Sequence, residues 1–282
     1  MNIRTDLALE RAQISKKGLN GVFFSEEQNE NVTLSRLVIE TDEAAKKLEK
    51  PKGQYITLTL PRFTKCGTLD LNAVGVFARE IRRLLPTKNE SILVAGLGNT
   101  SITSDSLGPE VAKRVIATRH IPKEMKKELS LGKLLPVSVI APGVLGQTGV
   151  ETGEILLGIA ERIKPSTIIV IDALAARSVS RLGCTVQLSN TGICPGSGIG
   201  NRRREISEKT LGIPVISVGV PTVVDINTLL YDMGVQNADK SDMIVTPKEV
   251  DMMIDRAAEM LAVGINSALQ ENLSLEDIMG LI

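Results

Sequence analysis

The sequence predicts an α/β protein of three layers, with helices packed on both faces of a mostly parallel central sheet. Two observations carry this. From Ser91 onward, short β-branched apolar runs alternate with segments of helical period, and the runs lack the polar alternation of a half-exposed strand. The chain has 282 residues, 43% hydrophobic and 23% charged, enough for a sizeable core and too apolar for a disordered chain.

The elements follow in order. The first fifty residues are charged and mixed, hold one strand from Thr33 to Ile39, and read as peripheral. Tyr55 to Leu60 is rich in strand formers and stops at Pro61. Between Asp70 and Leu85, apolar residues at Leu71, Val74, Phe77, Ala78, Ile81 and Leu84 make one helical face. Ile92-Leu93-Val94-Ala95 is a buried strand, and Pro109 suits the opening of the helix after it. Val137 to Ala141 and the helix Glu151 to Ile163 repeat the pattern. Thr167 to Ile171, ending at Asp172, and Val215 to Val220, ending at Pro221, complete the strands, and Pro247 to Asn272 supplies a long helix. Residues 1–90 read as an amino-terminal elaboration of an α/β core over 91–282, together one compact domain.

Composition excludes several functions. Thirty-three basic residues balance 33 acidic ones, so no excess of positive charge points to nucleic acid or an anionic membrane. No Trp, two Tyr and four Phe leave little for base stacking. The apolar run Thr167–Ala176 carries Asp172 and is too short to span a bilayer, and the amino terminus does not resemble a secretory signal. Cys66, Cys184 and Cys194 form no C-x-x-C pair, which fits a reducing cytoplasm. The one histidine, His120, rules out a site built on two histidines within the chain and reads as a residue at a helix end.

Ligands of parallel α/β sheets bind where loops leave the carboxyl ends of the strands. That rule gathers Asn99–Gly108, Pro142–Thr148, Asp172–Arg177 and Pro221–Asp225. Asp105 and Asp172 stand out there as two carboxylates that can converge. Asp172, following an apolar strand, is expected to have a raised pKa, with Arg177 as a nearby cation. Asp105, just ahead of a helix, is expected to favour the ionised form. Such opposed environments suit one acid and one base. A capping or turn role for either aspartate is the competing structural reading. Gly96-Leu97-Gly98-Asn99 lacks the third glycine of a dinucleotide turn. The segment Cys194–Arg204 is a glycine-rich loop ending in a basic cluster that could meet an anion, and neither Cys194 nor Ser197 has the setting of a nucleophile.

The segments Val94–Asn99, Asp105–Pro109, Ile171–Arg177, Pro195–Asn201 and Val245–Asp251 resemble, in consistent order, the germination protease family of spore-forming bacteria. The resemblance implies an aspartic-type endopeptidase that degrades small acid-soluble spore proteins, with Asp105 and Asp172 as the catalytic pair. Asn99, Arg177, Asp225 and Arg202 would support the site or the substrate. No cofactor and no metal is expected, no nucleic acid or membrane partner, and a homotetramer in the cytoplasm of the developing forespore and spore core. It further implies a self-processing zymogen: Arg4-Thr5-Asp6-Leu7-Ala8 is similar to the family's processing site, with Met1–Asp6 removed by a cut between Asp6 and Leu7. The implied fold is related to that of hydrogenase maturation proteases, the phosphorylase/hydrolase-like fold, in which positions like Asp105 and Asp172 help hold a metal. Tyr231–Asp242 is shorter than the family pattern. Two alternatives stay open, a metal-dependent processing peptidase and a nonenzymatic oligomeric scaffold binding an anion at Asn201–Arg204.

Overall fold

The computed structural model describes residues 5–14, 19–65, 67–122, 134–197, 203–235 and 243–282. Cys66, Asn201 and Arg202 lie outside the described residues.

Among the described residues nine strands form one sheet, β1 (Val22–Asn29), β2 (Val32–Ile39), β3 (Gly53–Thr59), β4 (Ile92–Gly96), β5 (Val137–Ile140), β6 (Thr167–Ala176), β7 (Thr185–Ser189), β8 (Val215–Asp225) and β9 (Ile244–Val245). The order is β1-β2-β3-β7-β8-β6-β4-β5, with β9 on β8. Strands β5, β4, β6 and β8 are parallel, and the antiparallel strands flank them. The parallel core has the expected strands because Ile92–Ala95, Thr167–Ile171 and Val215–Val220 are apolar on both faces and buried throughout.

Helices cover both faces. On one lie α3 (Leu71–Leu84), α4 (Leu107–Arg114) and α9 (Val250–Leu269), where Phe77, Val111 and Leu261 meet Ile169, Val218 and Leu188. On the other lie α6 (Thr152–Ile163) and α7 (Glu208–Leu211), with Leu156 and Leu211 against Leu93 and Val170. There α1 (Ala8–Ile14) and α2 (Asp42–Leu48) cover Leu37, Ile39 and Tyr55 of the added strands. The remaining helices are short: α5 (Leu145–Thr148), α8 (Ile226–Asp232) and α10 (Leu275–Leu281).

The first fifty residues are not peripheral. β1 and β2 extend the sheet through β3, and Leu34 belongs to the same core as Ile56 and Ile169. The mixed charges that obscured them have local jobs: Thr41 caps α2, and Arg36 reaches the buried Glu80 at 2.9 Å. Strands β6 and β8 also run past their expected ends at Asp172 and Pro221, to Ala176 and Asp225. Pro221 does not stop β8 because it sits at a register shift, where Leu174 pairs Pro221 and Ala175 pairs Val223. His120 is an exposed turn residue beyond α4. That helix ends at Arg114 because Asn266 of α9 takes the Arg114 carbonyl and the Ile116 N–H, diverting the chain. Among the described residues no helix is long and apolar enough to cross a membrane.

Candidate active site

After β4 the chain makes a tight loop. Gly98 has φ +124°, and a Cβ there would lie 1.9 Å from the Asp105 carbonyl oxygen, so glycine lets the two passes of the loop touch. The Asn99 N–H then reaches both the Asp105 carbonyl and its Oδ2, each at 3.0 Å. The glycines of this loop therefore serve its packing, consistent with the weak dinucleotide signal in the sequence. Asn99 Oδ1 accepts from Ser101 N at 2.9 Å and from Gln147 Nε2 at 2.8 Å, joining this loop to the one after β5.

Asp172 lies inside β6 and only 5% of it is exposed. Its Oδ1 accepts from the Ala173 N–H at 2.9 Å. Burial pushes its carboxyl well above the usual range, and the neighbouring Asp105 and Asp6 carboxylates push it further up. Asp105 is also raised, by burial, against the pull of the Asn99 N–H. This corrects the expectation that the helix end would favour its ionised form: loss of water outweighs the dipole. The two aspartates form a coupled pair, with Asp172 the more strongly protonated member.

Two of the other expected site residues have backbone or capping bonds of their own. Arg177 is fixed through its backbone N–H to Glu10 Oε2 at 2.7 Å, and the charges acting on Asp172 are carboxylates. Asp225 is buried and its Oδ1 caps α8, accepting from Thr228 N at 2.9 Å and Thr228 Oγ1 at 3.1 Å. Arg203 is held by its backbone N–H to the Pro195 carbonyl at 3.0 Å, and Arg204 pairs Glu154 at the surface.

The amino-terminal segment completes the site. Asp6 lies along the end of β6, exchanging N–H to the Ala175 carbonyl and Ala175 N–H to its own Oδ2, both at 2.9 Å. Its Oδ1 accepts from Ser197 Oγ at 2.6 Å. Leu7 is fully buried against Leu174, Ala176, Leu182 and Val224. Beside Asp6 is a cleft of about 110 Å³ bordered by Lys50, Leu174, Gln187 and Gly219. The sequence pattern did not bring Lys50 and Gln187 to Asp6, or the Asp6 carboxylate to Asp172. Gln187 was hidden because β7 was not recognised, and Lys50 lay in a charged run that looked like plain surface.

Among the described residues no group of three or more His, Cys, Asp or Glu is placed to hold an ion.

A mixed sheet whose parallel strands carry interacting carboxylates, with a stretch of chain laid beside them, fits an α/β peptidase. Residues 3–236 match the germination protease family. The germination protease of Clostridium acetobutylicum is 40% identical over 321 residues, covering 98% of each chain, and that of Caldanaerobacter subterraneus is 39% identical, covering 100% of this chain and 98% of its own. The chain belongs to the germination protease family and is a peptidase. An alignment of 321 positions against 282 residues means that the relatives carry residues this chain lacks. Among solved structures, a [NiFe] hydrogenase maturation protease, HycI from Thermococcus kodakarensis, is 14% identical with a TM-score of 0.38, over 66% of this chain and 98% of its own.

Proposed function

We propose that this peptidase is an aspartic-type endopeptidase that starts the breakdown of small acid-soluble spore proteins, with Asp105 and Asp172 as its catalytic pair. The supporting observation is the coupling of a buried, raised Asp172 to Asp105. Two such carboxylates retain a shared proton at a pH where isolated ones would lose both. Asp105, its charged form held by the Asn99 N–H, takes a proton from water. Asp172, kept protonated by burial, delivers one to the departing amine. Water adds to the carbonyl carbon, the C–N bond breaks, and no covalent enzyme intermediate is required.

In this reading the chain is a zymogen that removes Met1–Asp6 itself, and it acts as a homotetramer in the developing forespore and spore core. Support for self-processing is that Asp6 contributes to the field at Asp172.

The test is cleavage of a small acid-soluble spore protein by the purified chain, with the cut ends mapped. Asp105→Asn and Asp172→Asn, each folded by circular dichroism, are expected to lose about 10⁴-fold or more in kcat. Full activity in either refutes the pair. Cleavage lost in chelator and restored by one metal ion would assign the reaction to a metallopeptidase.

A further inference from the structure

We propose that Lys50 and Gln187 are catalytic residues that hold and polarise the carbonyl oxygen under attack. The inference rests on the reading that the aspartate pair cuts the Asp6–Leu7 bond. The Asp6 carbonyl oxygen accepts from Lys50 Nζ at 2.8 Å and from Gln187 Nε2 at 3.2 Å. Gln187 also grips the far side of that bond, its Oε1 accepting from the Ala8 N–H at 2.7 Å. One carboxamide thus straddles the peptide group that the reaction opens.

The sheet puts these groups on the correct side. Asp172 of β6 pairs with Gly219 of β8, and Gly219 pairs with Gln187 of β7. Residues side by side in a sheet share a face, and two strand spacings separate the Asp172 and Gln187 backbones by roughly 10 Å. The residue between them has no side chain. The Leu174 side chain lies over it, and the cleft beside Asp6 is bordered by Leu174, Gly219 and Gln187. Lys50 arrives from the opposite flank, and its backbone is pinned where α2 ends, with Glu49 left-handed at φ 52° and the Lys50 N–H on the Ala45 carbonyl at 3.1 Å.

The chemistry needs such donors. When water oxygen bonds to the Asp6 carbonyl carbon, one water proton passes to Asp105 and the C=O electron pair moves onto the oxygen. Lys50 and Gln187 hold that oxygen. When it re-forms C=O, the bond to the Leu7 nitrogen breaks and that nitrogen takes the proton of Asp172. One water is consumed, leaving a carboxyl at Asp6 and an amine at Leu7.

The test uses the whole chain and a separate peptide with the sequence Arg4–Glu10. Removing one donor to a developing oxyanion costs about 10²- to 10³-fold in kcat. Lys50→Met is expected to lose that much in peptide cleavage and in self-shortening by intact mass, with KM little changed and the melting temperature of the parent. Gln187→Met is expected to behave likewise, and Lys50→Arg to recover part of the rate. A parental kcat in Lys50→Met, or a raised KM with kcat intact, overturns the proposal. Because Gln187 is only 8% exposed and its replacement perturbs packing, Lys50→Met decides. Activity retained in Asp172→Asn would instead overturn the aspartate reading, and this inference with it. An inactive Asp172→Asn beside a fully active Lys50→Met would overturn this inference alone.

Discussion

Gly219→Ala is expected to destabilise the protein and slow cleavage together. An ideal Cβ at Gly219 lies 2.5 Å from Leu174 Cγ, 2.7 Å from Leu174 Cδ1 and 2.9 Å from the Asp172 carbonyl oxygen. Carbon atoms pack favourably at ~3.5–4.0 Å, so the added methyl overlaps Leu174 by roughly 1 Å. Leu174 cannot simply swing away, because it is buried against Leu7, Ala176, Leu182 and Val224. Overpacking of this kind costs about 1–3 kcal/mol. With 282 residues and ~2.1 cal/mol/K of unfolding entropy per residue, 1 kcal/mol moves the melting temperature by about 1.7 °C, so the expected fall is roughly 2–5 °C. Because Leu174 and the Asp172 carbonyl are the atoms that must give, kcat is expected to fall by about tenfold or more.

Differential scanning calorimetry beside a peptide-cleavage assay checks both numbers, and Gly158→Ala supplies the control of opposite sign. Gly158 is an exposed residue of α6 with nothing within 4 Å of its ideal Cβ. Alanine there is expected to stabilise by about 0.5–1 kcal/mol through helix propensity alone, with the rate unchanged. If both alanines raise the melting temperature, or Gly219→Ala leaves stability and rate at parental values, the close packing of that row of the sheet is refuted.

Further outcomes follow from buried groups. Asp172 has a folded pKa above its unfolded value, so its contribution to stability is greatest below the unfolded pKa and declines as pH rises through the folded one. Asp172→Asn is therefore expected to melt higher than the parent at pH 8, with the advantage vanishing as pH falls below the ordinary carboxylate range; an advantage that grows on acidification would contradict this. Leu7→Ala empties a fully buried position and is expected to cost about 2–4 kcal/mol by denaturant titration. A loss under 0.5 kcal/mol, well outside that range, would mean that the segment does not dock in solution. Glu80, with no side-chain exposure, faces Arg36 at 2.9 Å and Arg83 at 3.0 Å. Glu80→Gln is expected to cost about 1–2 kcal/mol, because the part-exposed Arg36 and Arg83 lose a buried counter-charge, and an unchanged midpoint would show that those arginines turn to water.

The parallel half of the fold was legible because burial on both faces leaves one kind of residue. Ile168, Ile169, Val170 and Ile171 admit few readings besides a covered strand. The antiparallel half was not, because its strands hide their pattern differently. β1, Val22–Asn29, is an edge strand with Phe23 and Phe24 exposed on an acidic ribbon, so its apolar residues mark no core face. β7 reads Thr-Val-Gln-Leu-Ser, and although every residue is buried, three of the five are polar because that face looks onto the site instead of the core. Pro221 misled in the other direction, since a proline at a bulge is a permitted exception to the rule that prolines end strands.

The site divides on the same line. Asp105 and Asp172 could be found because each follows an apolar strand of the parallel core, and topology alone sends such positions to one edge. Lys50 and Gln187 could not, since each reaches Asp6 from outside that core, one past the end of α2 and the other from β7. The chain thus builds its carboxylates on the parallel core and its carbonyl-holding groups on the antiparallel strands and the helix beside it. Gly219 is the residue where the two parts meet. It pairs with Asp172 on one side and Gln187 on the other, and in having no side chain it lets Leu174 pack against the sheet between them.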